Sequence, residues 1–431
     1  MRDDDTIVAL SSGALPSGVA VVRLSGPKAG VVLSGMLGAL PVPRRLKLAD
    51  IRIGGDLIDR GLVAWMPGPH SFTGEDCAEL QVHGSPAVVR ALLRQLGAMD
   101  GVRLAEAGEF TRRAFENGKL DLTEVEGLGD LIQAETEGQR RLALARLDGA
   151  LSERLDAWRE ALLDARAEIE ARLDFSDEGD VDAELPETVL SRLREVRADL
   201  LAVAGSITSG RIVREGLRVA LAGPPNAGKS SLLNALAKSD VAIVTDEPGT
   251  TRDVREVAVD LDGQLVILVD MAGLRQSDSK AEAEGVRRAH REIGGADLVL
   301  WLQAPDVEVG PAPATEADVW IVGSKSDLPG VAGELAVSSR TGAGVDELLA
   351  RIARFADGQT SGEPALVSRE RDLVALSAAV SSVEAAIAHF GEEELAAEDL
   401  RRASDALARL LGKMDVEAVL DRLFSAFCIG K

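Results

Sequence analysis

Apolar positions along this chain follow two different periods, and the points where the period changes divide it into segments. Near the start the apolar runs are short and punctuated by Gly and Pro. Thr6 to Leu10, Val19 to Leu24 and Leu62 to Met66 predict strands of a compact α+β domain over residues 1–120. From about Leu122 the spacing lengthens to three and four, and Leu144, Leu147, Leu151, Leu155, Trp158 and Leu162 form one continuous helical stripe. After an acidic stretch at Ser176 to Asp182, Leu193, Val196, Leu200, Val203 and Ile207 repeat it. Late in the chain Leu373, Leu376, Val380, Val383 and Ile387 keep the same period, and a further helix runs through Leu407, Leu411 and Val419. Residues 216–360, between the helical regions, alternate buried strands with helices, the texture of an α/β domain.

Helical stripes need apolar partners, so residues 121–215 and 361–431 are expected to form one helical domain interrupted by an inserted α/β domain. Such insertions are tolerated where the host's two ends lie close together at its surface. Three or four domains in a row is the alternative. The fold class expected is therefore multidomain, α+β followed by helical and α/β parts.

Composition narrows the functions available. At about 150 residues per domain, 431 residues suggest three domains, and 46% hydrophobic residues can supply their cores. Lys and Arg number 48 against 71 Asp and Glu, a formal charge of −23, which argues against coating nucleic acid or anionic membrane by bulk electrostatics. Residues 1–120 hold 14 basic and 13 acidic side chains and are the least repulsive surface for an anion. Tyrosine is absent and aromatics are 3%, leaving few base-stacking platforms. Any nucleic-acid contact is expected to be local or made through a partner. Cys77 and Cys428 form neither a disulfide framework nor a zinc-ligand spacing, and the four histidines have no ligand spacing. Three aspartates after Arg2 are unlike a secretory leader, and no run approaches 18 uncharged apolar residues. These features predict a soluble, cytoplasmic protein without a membrane span.

The densest chemistry lies in the α/β segment. Leu217 to Ala222 reads as a buried strand running into Gly223 to Ser230, GPPNAGKS, and then a helix. That is a P-loop in its required strand, loop, helix context. Backbone N–H groups wrap phosphate, the helix N-terminus favours negative charge, Lys229 reaches the β and γ phosphates, and Ser230 offers a hydroxyl to Mg²⁺. Leu265 to Val269 runs into Asp270-Met271-Ala272-Gly273, where Asp270 can hold Mg²⁺ through water and the Gly273 N–H can sense a γ phosphate. Val319 to Val322 ends in Gly323-Ser324-Lys325-Ser326-Asp327, whose last carboxylate can accept from guanine N1 and N2; adenine cannot make that pair. Leu335 to Val337 leads to Ser338-Ser339-Arg340, a turn suited to closing over the base. Thr251, in the Val241 to Asp253 stretch between the P-loop and Asp270, sits where a first switch belongs and can add a hydroxyl to Mg²⁺. Four motifs in this order predict a GTP-binding domain.

The whole chain resembles the MnmE (TrmE) family of tRNA-modification GTPases. The resemblance rests on Asp5 to Gly13 (DTIVALSSG), Val22 to Pro27 (VRLSGP), Ser71 to Asp76 (SFTGED), His83-Gly84, Gly108 to Lys119 (GEFTRRAFENGK) and Phe427 to Lys431 (FCIGK), beyond the nucleotide motifs. Two positions depart from it. Ser324 stands where the family usually has Asn, which is expected to shorten the link between base loop and P-loop, so that Ser324→Asn would tighten GDP. Met271 stands where Thr is usual, which implies a packing difference only.

The resemblance carries further expectations. The GTP and GDP site would be drawn from Asn226, Ala227, Gly228, Lys229, Ser230 and Ser231, from Thr245, Asp246, Glu247, Pro248, Gly249, Thr250 and Thr251, from Asp270 to Gly273, and from Ser324, Lys325, Asp327 and Ser338 to Arg340. K⁺ would be held by Asn226 and the loop containing Thr245, Glu247 and Thr250, replacing an arginine finger when two G domains meet. Glu282 would orient catalytic water. Arg23, Glu79, Lys119 and Lys431 match positions that contact 5-formyl- or 5,10-methylene-tetrahydrofolate in a dimerising N-terminal domain. Together these imply a homodimer that works with an FAD-dependent MnmG/GidA partner, in a heterotetramer or larger complex. The complex would install an aminomethyl or carboxymethylaminomethyl group at C5 of the tRNA wobble uridine, U34, with FAD on the partner. An Era-like ribosome-assembly GTPase would explain residues 216–355 but not the 1–120 motifs or Lys431, and a slow nucleotide-gated scaffold that binds GTP but hardly turns it over is a third reading.

Overall fold

The structure, a computed structural model, describes residues 5–175, 187–243, 256–271, 295–360 apart from 309, 332 and 334, 365–414, and 420–430 apart from 421, 422, 426 and 428. The chain separates into two units, residues 1–129 with 408–431, and residues 130–407.

The first unit is built on a six-stranded sheet in the order β3-β4-β5-β2-β1-β6. Its strands are β1 (Thr6–Leu10), β2 (Ser17–Ser25), β3 (Lys47–Ile53), β4 (Asp56–Met66), β5 (Cys77–Gly84) and β6 (Val102–Leu104). Neighbours are antiparallel except β1 and β6. Because strand side chains alternate between faces, Val8, Val22, Leu24, Val63 and Leu80 point to one side. There they pack with α1 (Ala29–Leu37) and α2 (Pro86–Leu96). Ile7 and Ala9, on the other face, meet Phe110 of α3 (Glu109–Glu116). The end of the chain belongs to this unit: Ile429 bridges to Ala107, and the Ser11 hydroxyl donates to the Gly430 carbonyl at 2.7 Å. Helix α4 (Leu122–Gln133) leads out of it.

In the second unit the helices are α5 (Glu137–Leu147), α6 (Ala150–Phe175), α7 (Glu187–Gly205), α8 (Ile207–Glu215), α9 (Lys229–Leu236), α10 (Val345–Thr360), α11 (Glu370–Ala388) and α12 (Glu393–Leu410). The stripe from Leu144 to Leu162 is shared by two helices. Gly149 adopts φ +86°, a left-handed conformation that ends α5 before α6 begins at Ala150. Leu151, Leu155, Trp158 and Leu162 of α6, Leu193 and Leu200 of α7, and Leu376, Val380 and Val383 of α11 are buried. The early and late helical stretches do pack together, α7 on α11.

The inserted part is a six-stranded sheet in the order β12-β11-β10-β7-β9-β8. Its strands are β7 (Leu217–Ala222), β8 (Glu256–Leu261), β9 (Gln264–Asp270), β10 (Leu298–Gln303), β11 (Asp318–Gly323) and β12 (Leu335–Ala336). All pairs are parallel except the β8–β9 hairpin. Val219, Leu221, Leu268, Leu300 and Leu302 pack with Leu232 and Leu236 of α9 and with Leu348 and Ile352 of α10. Strand β7 lies between β9 and β10, and the crevice beyond the carboxyl end of such a strand is where open α/β sheets bind ligands. Among the described residues no helix is long and apolar enough to cross a membrane.

Candidate nucleotide site

The P-loop leaves the carboxyl end of β7 under tight steric terms. Gly223 has φ +143°, and a Cβ there would stand 2.6 Å from the Leu302 carbonyl oxygen, so only glycine fits. Gly228, at φ +90°, is the N-cap of α9, whose first residue is Lys229. The Lys229 ammonium donates to the carbonyls of Gly223 at 2.9 Å and Pro224 at 2.8 Å, and the side chain is buried. It thus lies across the loop in the position where phosphate oxygens can replace those carbonyls.

Strand pairing delivers the next group. Leu221 of β7 stands opposite Asp270 of β9, which sets a buried carboxylate beside the loop. The Ser230 hydroxyl donates to Asp270. A hydroxyl and a carboxylate converging next to a helix N-terminus are hard oxygen donors, the set Mg²⁺ takes when phosphates and water complete its octahedron. Among the described residues no group of three or more His, Cys, Asp or Glu could hold a metal by itself. Met271 is buried against Ala220, Ala222 and Val299. Asn226, in the loop, is exposed with φ +62°.

The other end of the crevice is formed after β11. Ser324 donates its N–H to the Gln303 carbonyl at 2.7 Å and its hydroxyl to the Ala227 carbonyl at 2.6 Å. Both residues are buried. The link that sequence reasoning expected to be shortened is therefore a direct bond, because the loops approach closely enough for the short hydroxyl to reach. Lys325, with φ +54°, pairs with Asp306 at 2.7 Å. Asp327 accepts from the buried Ser338 hydroxyl at 2.8 Å and lies 3.5 Å from Arg340. The Ser338 hydrogen bond is the main cause that holds this carboxyl below its ordinary range, so it stays an ionised acceptor. Ser338 also accepts from the N–H groups of Arg340 and Thr341, shaping the 338–342 turn around half-buried Ser339. Thr245 to Thr251, Ala272, Gly273 and Glu282 lie outside the described residues.

In the first unit, Arg23 and Glu79 stand opposite each other across β2 and β5 and form an ion pair. Arg23 Nε and Nη2 both donate to Glu79 Oε1, at 3.0 and 2.8 Å, and neither bond uses Oε2. The guanidinium lies 5.6 Å from the Phe72 ring centroid and 5.8 Å from that of Phe110. A carboxylate oxygen beside a stacked guanidinium suits the amino and ring N–H donors of a pterin. Lys119 is exposed, and its stem borders Gly74 of the loop that carries Phe72. Lys431 and Cys428 lie outside the described residues.

Beneath that loop runs a network drawn largely from the family-like segments 22–27, 71–76 and 108–119, though no motif announced its connections. The Ser25 hydroxyl reaches Thr73 and Glu75, each at 2.6 Å; Glu75 pairs with Arg113 at 3.0 Å, and buried Glu109 pairs with Arg113 at 3.2 Å and Arg103 at 2.5 Å. Burial works against ionisation of Glu109, but the Arg103 hydrogen bond and its neighbours outweigh it and hold the carboxyl below its ordinary value. A second unannounced pair is Arg146 with Asp372, at 3.1 Å and with no exposed surface on either side chain.

Comparison with known proteins accounts for nearly the whole chain. The family model of the GTP-binding protein TrmE N-terminus matches residues 6–119, and that of the MnmE helical domain matches 122–428. A tRNA modification GTPase MnmE from Azorhizobium caulinodans is 51% identical over 437 residues and covers 100% of both chains. Another from Methylorubrum populi is 52% identical, covering 99% of this chain and 98% of its own. Among solved structures, the G domain of the T. maritima FeoB iron transporter is 27% identical, covers 32% of this chain and 98% of that one, and has a TM-score of 0.23.

Proposed function

We propose, from the premise that this chain belongs to the family of tRNA modification GTPases named MnmE, that it hydrolyses GTP to drive modification of the tRNA wobble uridine. The observation that carries the reading is the Ser324–Ala227 hydrogen bond, which fastens an acceptor for guanine, Asp327, to a cradle for phosphate around Lys229. The P-loop N–H groups and the N-terminus of α9 bind the phosphates, and Lys229 exchanges its carbonyl partners for phosphate oxygens. Ser230 and Asp270, with Thr251, would hold Mg²⁺, which when bound neutralises charge on the β and γ phosphates. Asp327 reads guanine by accepting from N1 and N2. Glu282 orients the attacking water, and Asn226 with carbonyls of the Thr245 to Thr250 loop holds K⁺ at the junction of two G domains.

The remaining reading follows the family. Arg23, Glu79, Lys119 and Lys431 bind a formyl- or methylene-tetrahydrofolate in the N-terminal domain, which also forms a homodimer. An FAD-dependent partner of the MnmG/GidA family completes the complex, and the one-carbon unit goes to C5 of U34. The net charge of −23 supports a division of labour in which the partner holds much of the tRNA. An Era-like ribosome-assembly role leaves residues 6–119 without a function.

The test is phosphate release from GTP in K⁺ and in Na⁺, for wild type and Glu282→Ala, with GDP affinity measured separately. The expectation is turnover at least about 10²-fold lower for Glu282→Ala with affinity unchanged, and a similar fall for wild type in Na⁺. Wild-type turnover by Glu282→Ala in K⁺ would return that residue to an ordinary solvated role.

A further inference from the structure

The first turn of a helix leaves N–H groups without acceptors in the helix itself, and something outside must supply them. At the start of α5 two suppliers act. Thr136 caps the helix, its hydroxyl accepting from the Gln139 N–H, while the Gln139 side chain accepts from the Thr136 N–H at 3.1 Å. The Gly138 N–H has a different acceptor, the carbonyl of Gly263 at 2.8 Å, which lies in the tip of the β8–β9 hairpin. A helix of the host domain is thus capped in part by the inserted domain.

The approach is close enough to dictate the residue on the α5 side. A Cβ on Gly138 would stand 2.8 Å from the Gly263 carbonyl oxygen. Asp262 and Gly263 have φ +53° and +85°, the tight two-residue turn that fixes the direction of the hairpin tip. Strand β9 runs from that tip to Asp270, about 20 Å away at the usual rise per strand residue. Strand β8 follows directly on residues 244–255 in the chain, and Asp270 is the first residue of the Asp-x-x-Gly stretch that ends at Gly273. The hairpin therefore has the nucleotide's Mg²⁺ carboxylate at one end and the cap of α5 at the other.

Helix α5 also holds both crossings between the helical and inserted parts. Gln139 Nε2 donates to the Arg214 carbonyl at 2.9 Å, in the last turn of α8 just before β7. At the opposite end of α5, Arg146 donates to the Leu366 carbonyl at 3.1 Å, to Ser368 at 3.2 Å and to Asp372 at 3.1 Å, where the chain re-enters the helical part. One 11-residue helix touches the hairpin tip, the way in and the way out.

We propose that the Gly138–Gly263 contact is a relay: the nucleotide state of the inserted domain is passed along β9 to the cap of α5, and so couples GTP turnover to the tRNA chemistry. This rests on the nucleotide reading above. The direct test is amide hydrogen exchange in the full-length protein with GDP, and with GDP plus aluminium fluoride in K⁺. The Gly138 amide is expected to change protection at least tenfold between the two states, while the Asp148 amide, bonded within α5 to Leu144, does not. Equal protection of Gly138 in both states would overturn the relay. A second arm uses Gly138→Ala, which favours the helix but obstructs the contact. GDP affinity and GTP turnover should stay within about twofold of wild type, whereas modified wobble uridine formed per GTP hydrolysed in the complete system should fall at least tenfold. Gly263→Asn, which tolerates the turn and whose Cβ would meet Glu137 at 3.4 Å and the Gly138 nitrogen at 3.9 Å, both ordinary contacts, should preserve the ratio. An unchanged ratio in Gly138→Ala, or equal loss of turnover and modification, contradicts the proposal. Failure of wild type to bind GDP would instead overturn the nucleotide reading beneath it.

Discussion

Removing the Ser324 hydroxyl separates what binds phosphate from what binds guanine without touching either. In Ser324→Ala the 2.6 Å bond to Ala227 is lost, and the Ala227 carbonyl, itself buried, is left without that donor. A buried acceptor stripped of its partner costs about 1–3 kcal/mol, of which the share expressed in binding should appear as roughly a tenfold weaker GDP affinity. The physical content of the bond is alignment of two half-sites. Fragments that occupy one half each, guanosine and inorganic pyrophosphate, should therefore bind the variant as they bind wild type. Fluorescent GDP titration measures the first, and ligand-observed NMR the two fragments. Ser324→Asn must place a larger side chain in the same buried gap, where overpacking costs about 1–3 kcal/mol, so it should not tighten GDP. That reverses the expectation drawn from the family pattern alone. GDP affinity unchanged in Ser324→Ala, equal losses for GDP and both fragments, or a tighter Ser324→Asn would each refute the reasoning.

Two other outcomes follow from the geometry. Asp327→Asn replaces an acceptor of two guanine N–H bonds by a carboxamide and should weaken GDP by about 10²-fold in the same titration, while xanthosine diphosphate, with an acceptor at C2, should gain. Glu109→Gln should lower stability by about 2 kcal/mol at neutral pH, because it removes the buried carboxylate that Arg103 and Arg113 share and leaves them only Asp5 and Glu75. The Glu109 carboxyl is held below its unfolded value near 4.5, so its contribution is present above that pH and lost as pH falls through the folded value. Urea midpoints of wild type and variant should therefore differ at pH 7 and converge as the pH falls below 4.5 and through the folded value.

Sequence reading succeeded where the pattern is local. Strands β7 and β9 are largely buried on both faces and, like the Val319 to Val322 run of the more exposed β11, read as mainly apolar stretches, and each delivers a motif at its carboxyl end. The strands β3 (KLADIRI) and β5 (CAELQVHG) had no such signal, since one of their faces is polar and alternation over seven or eight residues is weak beside loop-like composition. The stripe from Leu144 to Leu162 ran through Asp148-Gly149 because the apolar spacing is kept across the break, while only the left-handed glycine shows that the chain turns there. Arg146 and Asp372 are 226 positions apart, and a charge bound for the core looks in sequence like any solvated one. The same holds for Gly138, whose need for small size comes from the Gly263 carbonyl 125 positions away in the chain. In the nucleotide site, motif and spacing located Lys229, Asp270 and Asp327, but the Ser324 bond depended on how closely two loops approach, which only the fold sets.

The most direct test of the account as a whole is mass-spectrometric analysis of wobble nucleosides in tRNA from cells whose only copy of this chain is wild type, Glu282→Ala, or absent. The account predicts C5-modified uridine at position 34 with wild type, its loss in the deletion, and little or no restoration by Glu282→Ala expressed at the same level. Full modification in the deletion, or full restoration by a variant shown to have lost GTP hydrolysis, would contradict it.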